Sequence, residues 1–525
     1  MFQILATDSI KEEGLQPLLE LENAQVYMDN IDSENIDLTK IDALLVRSAT
    51  KVSHELLDRM PSLKIVGRAG VGVDNIDISE ATKKGIVVVN APDGNTISTA
   101  EHTFAMMAAL LRNIPQAHST VKNGEWKRNQ YIGSELFGKT LGIIGMGRIG
   151  SELAKRARAF GMAVKVFDPF LTQERAGVLG VQLSTFDDLL PQADIISVHT
   201  PLTKETKGLL NEKTLSFTKK GVYLLNCARG GIIDEIALAH FIEKGHVAGA
   251  ALDVFEVEPP GNHPLLDLDS VIVTPHLGAS TKEAQLNVAT QVAKEIRTFL
   301  ENKPVANSIN LPAMSKEIYE KIQPFHQLAK EMGKIVSECH NKGISELTVT
   351  YSGTAAELET SFLTKALLSG FFQNRIDVTV NEVNAIHIAK ERGIMIGEKI
   401  TGDTFGYANT VTVTALGDGE TFTARGTYIE HYGPRIVNLD GFNIDFHPSG
   451  NLLYIQHMDR PGVIGHVGKV LGDHSVNIAT MQVGRKEAGG EAIMVLSFDK
   501  PLQEDMIEKL KSLKDIVTIN SIILQ

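Results

Sequence analysis

The feature that most constrains this chain is a glycine run, Gly145–Gly150 (GMGRIG), which joins an apolar segment to an amphipathic one. Leu141–Ile144 before the run is typical of a buried strand, and the residues after it repeat apolar side chains at helical spacing. In such a strand–turn–helix unit, Gly145 allows the tight turn, Gly147 lets a phosphate approach the backbone, and Gly150 lets the helix pack closely on the strand. The run therefore predicts a doubly wound parallel sheet that binds a dinucleotide at a helix N-terminus.

An acidic residue ends the next predicted strand, Ala163–Phe167. Asp168 stands about 20 residues after the glycine run, where a carboxylate can bind both ribose hydroxyls of a dinucleotide. The same charge would repel the extra phosphate of NADP, so the predicted cofactor is NAD. Many loops use glycine only for its conformation, and the alternative interpretation is a structural turn beside an unrelated aspartate.

The apolar segments divide the chain into several units. Residues 1–95 and 140–273 each alternate short strands with helices, with six strand candidates in the second series, which predicts two doubly wound parallel sheets of the Rossmann type. Residues 316–450 open with a long helical pattern and continue as mixed strands, which predicts an α+β domain. Residues 451–525 follow the order βαββαβ of a ferredoxin-like domain. The predicted fold class is α/β, with a domain boundary near residue 315.

Composition excludes several kinds of partner. The formal net charge is −13 and the basic residues are scattered, which argues against nucleic acid and anionic membranes. No apolar run approaches the roughly 20 residues that cross a bilayer, and the N-terminus lacks the pattern of a signal peptide, so we expect a cytoplasmic protein. The two cysteines, Cys227 and Cys339, provide neither a disulfide framework nor a cluster for a metal, and we expect no metal site.

Three residues at predicted strand ends could oxidise a hydroxy acid. Arg229 follows the strand Val222–Leu225 and offers a planar guanidinium that could hold a carboxylate. His276 follows another strand and offers an imidazole for proton transfer, and Glu258 could orient that ring. Taken singly, each is more often a structural or solvated residue. Their joint placement at the carboxyl ends of strands, where such sheets bind ligands, favours the catalytic interpretation.

Together these segments resemble the D-isomer-specific 2-hydroxyacid dehydrogenases. The resemblance extends over essentially the whole chain, and it is closest to long members that add an intervening domain and a terminal ACT domain. Its motifs are the stretch from Gly145 to Asp168, Cys227–Gly231, Asp253–Phe255, Glu258–Pro259 and Pro275–Gly278.

The resemblance implies a role for each matching residue. Arg229 would bind the substrate carboxylate and carbonyl, His276 would act as acid and base, and Glu258 would pair with it. Asp253 would hold the nicotinamide carboxamide. Other matching residues would line the cofactor: Arg148, Ile149, Thr200, Cys227, Ala228 and Gly278.

The resemblance also implies a division into domains. A substrate-binding domain would comprise residues 1–96 and a returning segment, 287–315. Residues 97–286 would form the NAD-binding domain, and catalysis would occur in the cleft between the two. Residues 316–450 would be an intervening regulatory domain, followed by the ACT domain at 451–525.

Additional arginines point to a phosphorylated substrate. Arg47, followed by Ser48, and Arg68, followed by Gly70, lie at probable strand ends of the first domain, and Arg128 lies in a loop that could reach the cleft. Each arginine alone is equally well explained as a surface ion pair. The cluster and the resemblance together imply NAD-dependent oxidation of D-3-phosphoglycerate to 3-phosphohydroxypyruvate, the first step of L-serine biosynthesis.

Two alternatives share the same fold. The first is a dehydrogenase or reductase for another 2-hydroxy acid, such as hydroxypyruvate, glyoxylate or D-lactate, because the catalytic trio would be the same. The second is a redox-sensing binding protein. The scattered basic residues and the implied terminal ACT domain argue against the redox-sensing binding protein.

The terminal domain carries a candidate effector site. His457 and Asp459 lie in a loop that resembles the ligand loop of ACT domains, and Asn477 follows the next helix. Their polar groups could bind the ammonium and carboxylate of an amino acid, and the resemblance implies L-serine. Pro461–Gly462 could instead simply start the helix. ACT domains commonly pair, so we expect a homo-oligomer, either a dimer or a tetramer.

Overall fold

The computed structural model describes residues 1–312, 314, 316–340 and 342–524. The predicted boundary at residue 315 lies outside the described residues. The strands are β1 (Phe2–Ala6), β2 (Ala24–Met28), β3 (Ala43–Val46), β4 (Ile65–Arg68), β5 (Val87–Asn90), β6 (Thr140–Ile144), β7 (Ala163–Phe167), β8 (Gln182–Leu183), β9 (Ile195–Val198), β10 (Val222–Asn226), β11 (Val247–Leu252), β12 (Val271–Val273), β13 (Glu346–Gly353), β14 (Met395–Thr401), β15 (Asn409–Gly417), β16 (Glu420–Ile429), β17 (Gly433–Leu439), β18 (Phe442–Phe446), β19 (Gly450–Met458), β20 (Ile478–Arg485), β21 (Glu491–Phe498) and β22 (Ile516–Leu524).

Helices connect and cover these strands. They are α1 (Glu12–Leu19), α2 (His54–Asp58), α3 (Ile78–Lys83), α4 (Thr96–Leu111), α5 (Ile114–Lys122), α6 (Arg148–Ala159), α7 (Gln173–Leu179), α8 (Phe186–Leu189), α9 (Glu212–Ser216), α10 (Glu235–Glu243), α11 (Lys282–Leu300), α12 (Lys316–Cys339), α13 (Thr360–Phe372), α14 (Ala385–Glu391), α15 (Val463–Asp473) and α16 (Glu504–Lys511). None of the helices in the described ranges is long and apolar enough to cross a membrane.

The first sheet is parallel, with the strand order β2-β1-β3-β4-β5. The central strand β3 and the edge strand β5 are buried at every position, as expected when helices cover a parallel sheet on both faces. The helix α11 returns from the second sheet to pack on α1 and β4. A Cβ at Gly67 would lie 2.3 Å from Val292 Cγ1, so glycine allows this helix to approach the strand.

The second sheet is also parallel, with the order β12-β11-β10-β9-β6-β7-β8. Chain order reverses between β6 and β9, and such a switch point opens a crevice at the carboxyl ends of the strands. The two predicted parallel sheets are confirmed. The second sheet has seven strands instead of the six predicted, because the two-residue edge strand β8 gives little periodic signal.

The C-terminal half contains two further sheets. A mixed sheet has the order β14-β13-β15-β16-β17-β18, and an antiparallel sheet has the order β20-β21-β19-β22, which confirms the predicted βαββαβ unit. One face of the antiparallel sheet shares a hydrophobic core with the mixed sheet, including Leu452, Val495 and Ile522. The helices α15 and α16 cover the other face.

The intervening region also contacts the first sheet. Asn381 donates a hydrogen bond of 2.8 Å from Nδ2 to the carbonyl of Gly85, at the turn before β5. Val383 is buried in the core between the first sheet and α11. A continuous packed path therefore runs from the terminal domain through the intervening region to the first sheet.

Candidate active site

The glycine run forms a cradle at the switch point of the second sheet. Gly145 has a φ of 97°, and a Cβ there would lie 2.6 Å from the carbonyl oxygen of His199. A Cβ at Gly150 would lie 2.3 Å from the carbonyl oxygen of Gly145, so the helix α6 packs tightly on the turn. At Gly147 a Cβ would meet no atom within 4 Å. The middle glycine therefore faces open space, where a pyrophosphate can approach the free N–H groups of α6.

Asp168 lies beside this cradle and helps to shape it. Its Oδ2 accepts a hydrogen bond of 2.7 Å from the backbone N–H of Met146, and its Oδ1 accepts one of 2.8 Å from Phe170. Each carboxylate oxygen can accept another hydrogen bond, so ribose hydroxyls could be bound at the same time.

Buried polar groups after β9 fit a bound nucleotide. Burial lowers the pKa of His199 to about 4, so the ring is neutral, and its Nε2 lies 2.8 Å from Ser197 Oγ. His199 Nδ1 and Thr200 Oγ1 are buried without a hydrogen-bond partner among the described residues. Buried polar groups are normally paired, and these two lie next to the glycine run, where a nucleotide could supply the partners.

The structure brings His276 and Glu258 together. His276 Nδ1 lies 2.8 Å from Glu258 Oε2, while Glu258 Oε1 accepts a hydrogen bond of 3.1 Å from Phe255 N–H. The imidazole is half exposed and therefore accessible from the cleft. This contact orients the ring and leaves Nε2 as the nitrogen that can exchange a proton with a substrate.

The side chain of Asp253 holds the backbone of the loop that carries His276. Its carboxylate accepts hydrogen bonds from the backbone N–H groups of Leu277 at 2.7 Å and Gly278 at 2.8 Å. Thr274 Oγ1 donates to it at 2.6 Å, and His102 Nε2 lies 3.2 Å away. Burial opposes ionisation, but these hydrogen bonds hold the pKa of Asp253 below its ordinary value. The sequence analysis missed Thr274 and His102, although Thr274 stands only two residues before His276.

Arg229 extends from the second sheet toward the first. Its Nη1 donates a hydrogen bond of 2.7 Å to the carbonyl of Ala228, and its Nε lies 3.3 Å from Asp74 Oδ2. A Cβ at Gly72 would lie 2.1 Å from Arg229 Nη2, so the guanidinium rests directly on this glycine. Asp74, which the sequence analysis also missed, therefore contacts Arg229 across the cleft.

Arg68 and Arg47 add positive charge to the same cleft. The pKa of Arg68 is lowered, first by burial and then by the charges of Arg229 and Arg47, with Asp74 and Asp8 opposing the shift. Arg68 Nε is buried without a hydrogen-bond partner among the described residues. The buried guanidinium of Arg68 therefore lies within the electrostatic influence of two other guanidinium groups, an arrangement that a bound anion would stabilise.

Several predicted site residues lie elsewhere or have other contacts. Arg128 is exposed on a 3-10 turn, and no contact within the described ranges joins it to the arginine cluster. Arg148, at the start of α6, forms an ion pair with Asp93. Cys227 is buried against Met106, and burial raises the pKa of its thiol to about 12, so it remains a thiol.

The three candidate effector residues are not brought together within one chain. His457 is buried, and its Nδ1 lies 2.9 Å from the carbonyl of Met458. Asp459 accepts a hydrogen bond of 3.1 Å from Arg485, which, with the N–H of Gly489, holds the pKa of Asp459 below its ordinary value. Asn477 has a separate contact of 3.5 Å with Asp499.

Family models match most of the chain in three segments. Residues 104–278 match the NAD-binding domain of the D-isomer specific 2-hydroxyacid dehydrogenases. Residues 321–440 match the D-3-phosphoglycerate dehydrogenase intervening domain, and residues 452–515 match the ACT domain.

Complete relatives agree with these matches. The chain is 60% identical over 522 residues to D-3-phosphoglycerate dehydrogenase of Bacillus subtilis, covering 99% of both chains. It is 43% identical to the enzyme of that name from Methanocaldococcus jannaschii, covering 99% of this chain and 100% of the relative. A crystal structure of D-lactate dehydrogenase from Aquifex aeolicus, complexed with NAD and lactic acid, matches with a TM-score of 0.52 and 32% identity, over 59% of this chain and 100% of that one.

The fold and the cleft define an NAD-binding dehydrogenase of the D-isomer-specific 2-hydroxyacid class. The intervening and ACT segments, together with full-length identity to the Bacillus relative, place the chain more narrowly. The chain belongs to the D-3-phosphoglycerate dehydrogenase family.

Proposed function

We propose that this protein oxidises D-3-phosphoglycerate to 3-phosphohydroxypyruvate with NAD, as the first step of L-serine biosynthesis in the cytoplasm. The observation that carries the proposal is that the guanidinium groups of Arg68 and Arg229 lie against Gly70 and Gly72 of one loop, in the cleft that also holds the His276–Glu258 pair. Arg47 is close enough for its charge to contribute to the lowered pKa of Arg68. A substrate with a carboxylate at one end and a phosphate at the other would neutralise this cluster.

His276 is the proposed acid and base. During oxidation its Nε2 accepts the proton of the substrate hydroxyl, while Glu258 holds Nδ1 and stabilises the imidazolium that forms. Asp253 keeps the loop in place through the N–H groups of Leu277 and Gly278. Bound NAD supplies the acceptor for the hydride.

Arg229 is the proposed carboxylate ligand. Its planar guanidinium can donate two parallel hydrogen bonds to a carboxylate and can also polarise the neighbouring carbonyl of the product. The ion pair with Asp74 keeps the guanidinium at the cleft in the absence of substrate. Arg47, Ser48, Arg68 and Gly70 would then surround the phosphate.

The cofactor would occupy the cradle at residues 145–150. Gly147 leaves space for the pyrophosphate and Asp168 would bind the ribose, while Arg148, Ile149, Thr200, Cys227, Ala228 and Gly278 would line the site. The contacts of Asp253 support a second role for this residue, that of positioning the His276 loop. Its other proposed role is to hold the nicotinamide carboxamide.

The proposed organisation has a regulatory part. Residues 1–96 with 287–315 would bind the substrate and residues 97–286 would bind NAD, followed by the intervening domain at 316–450 and the ACT domain at 451–525. L-Serine would bind near His457, Asp459 and Asn477 in a homo-oligomer. The separation of these groups within one chain supports a site completed by a second copy.

A direct assay tests the catalytic proposal. Purified protein with NAD is assayed for NADH formation on D-3-phosphoglycerate, D-lactate and glycolate at equal concentrations. We expect a kcat/KM for D-3-phosphoglycerate that exceeds the others by about 100-fold or more, since a site built for a charged group leaves its partners unpaired with analogues that lack it. Equal or greater activity on D-lactate would contradict the proposal.

A further inference from the structure

The turn that carries Arg47 is held at both ends by one acidic side chain. Asp8, just after β1, accepts hydrogen bonds at Oδ2 from the backbone N–H groups of Arg47 at 2.7 Å and Thr50 at 3.1 Å. Its Oδ1 accepts a hydrogen bond of 2.5 Å from Thr50 Oγ1. One carboxylate therefore fixes the two N–H groups at the ends of the turn.

An amide side chain holds the same turn through its carbonyl groups. Asn75 Nδ2 donates to the carbonyl of Arg47 at 2.7 Å and to that of Thr50 at 2.7 Å. Asn75 follows Asp74, the residue that contacts Arg229, so one short loop contacts both the Arg47 turn and the carboxylate-binding arginine.

The clamp formed by Asp8 and Asn75 leaves only the middle of the turn accessible. Ser48 and Ala49 are exposed, and their N–H groups have no hydrogen-bond acceptor within the described ranges. These two N–H groups follow Arg47 directly in sequence and remain available as donors to an anion with several oxygens. Because the end groups are already paired, the turn cannot rearrange without losing several hydrogen bonds.

We propose that Asp8 and Asn75 are positioning residues for the phosphate of the substrate, acting through the Arg47–Thr50 turn. This inference rests on the proposed function and deepens it. Arg229 belongs to the sheet that holds His276, so it takes the carboxylate beside the reacting carbon. The Arg47 turn belongs to the other sheet and takes the phosphate at the far end of the substrate.

The test compares two substrates that differ only in the phosphate. For wild type, Asn75→Ala and Asp8→Asn, kcat/KM is measured with D-3-phosphoglycerate and with D-glycerate. We expect each variant to lower the ratio of kcat/KM for D-3-phosphoglycerate to kcat/KM for D-glycerate by about 10-fold or more, mainly through a higher KM for the phosphorylated substrate. The reason is that a misplacement of a substrate-binding group by ~1 Å can lower the rate by up to ~100-fold. NADH binding, followed by fluorescence, remains unchanged.

A double variant separates positioning from general damage. If Asn75 acts through the Arg47 turn, adding Asn75→Ala to Arg47→Ala produces little further loss, because residues that share one function are not additive. Asn310→Ala is the matched control, since Asn310 Nδ2 also donates to a backbone carbonyl of the first sheet, that of Ile86 at 2.8 Å, without contacting the turn. This control keeps the wild-type substrate ratio.

The outcomes distinguish the inference from the function on which it rests. The inference alone is overturned if the wild type prefers the phosphorylated substrate but the variants lose activity equally on both substrates. It is also overturned if the losses caused by Asn75→Ala and Arg47→Ala are fully additive in the double variant. A wild-type enzyme without that preference overturns both. If Asn75→Ala does not fold, Thr50→Val removes the hydroxyl bound by Asp8 and must lower the same ratio.

Discussion

The catalytic cleft and the candidate effector loop both gather polar residues at the ends of strands, but they differ in how far one chain completes them. In the cleft, His276 lies 2.8 Å from Glu258, and Arg229 lies 3.3 Å from Asp74 in the opposite domain. In the effector loop, Asp459 is paired with Arg485, and Asn477 contacts a different residue. The polar groups of the cleft thus contact one another across two domains, whereas Asn477 and Asp459 lie at opposite ends of the terminal sheet.

This difference lies in which parts of the chain surround each region. The cleft lies between two sheets of one chain, joined by the returning helix α11. The effector loop lies at one end of a single sheet. Within one chain, the packed path from this loop to the first sheet runs through the intervening region, where Asn381 contacts the turn before β5.

Removal of the proposed base is expected to have the largest effect. His276→Ala should lower kcat by about 100-fold or more with NADH binding nearly unchanged, because general-base catalysis contributes roughly that much. Steady-state kinetics and a fluorescence titration measure the two quantities. His54→Ala, an exposed histidine beside Glu55 and outside the cleft, is the matched control and keeps wild-type kcat. Near wild-type turnover of His276→Ala would remove this residue from its role.

Replacement of the proposed carboxylate ligand tests whether the planar guanidinium is needed in the cleft. Arg229→Lys should lower kcat/KM for D-3-phosphoglycerate by about 30-fold or more, because lysine keeps the charge but cannot donate two parallel hydrogen bonds, and losing a hydrogen bond to a charged group costs about 2 kcal/mol. Arg59→Lys, at an exposed ion pair with Asp32, serves as the control for the substitution. Unchanged kinetics of Arg229→Lys would show that lysine suffices and that the planar fork is not used.

Replacement of Asp168, the proposed ribose ligand of the cofactor, should have a smaller effect than replacement of His276 or Arg229. Asp168→Ala should weaken NAD binding by about 10-fold, since a hydrogen bond to a charged group is worth about 1.5 kcal/mol or more, and it should narrow the preference for NAD over NADP. Because Asp168 accepts from Met146 at one oxygen and from Phe170 at the other, Asp168→Asn removes the charge but keeps only one of these two loop contacts, whereas Asp168→Ala removes both. A wild-type preference for NADP would contradict the placement of Asp168.

Loss of serine inhibition in the terminal domain should be the smallest of the expected effects. L-Serine should inhibit the wild type several-fold, and Asn477→Ala should lose this inhibition while keeping catalysis in its absence, since coupling between sites is typically worth about 1–3 kcal/mol. Asn374→Ala, whose exposed amide also donates to a carboxylate, that of Glu338, but outside the terminal domain, is the matched control and keeps the inhibition. Calorimetry without any heat of serine binding at millimolar concentration would contradict the sensor, whereas binding without inhibition would contradict only the coupling.

Much of the cleft was predictable from short stretches of sequence. The glycine run and Asp168 were identified from their spacing after strands, and the structure places them at the switch point of a parallel sheet. Asp74 and His102 were missed because nothing in their local sequence marks them. Their importance comes from contacts with Arg229 and Asp253, which lie far away along the chain.

The sequence by itself determined most of the order of strands and helices, the cofactor motif and the residue types available for catalysis, because these depend on local periodicity and turn geometry. Only the tertiary structure decided which of them meet. It placed the guanidinium of Arg229 against Gly72, which belongs to the opposite domain. It left Asn477, which contacts Asp499, apart from Asp459. Contacts between distant segments depend on how whole sheets and helices pack, and that packing is not encoded in any single stretch of residues.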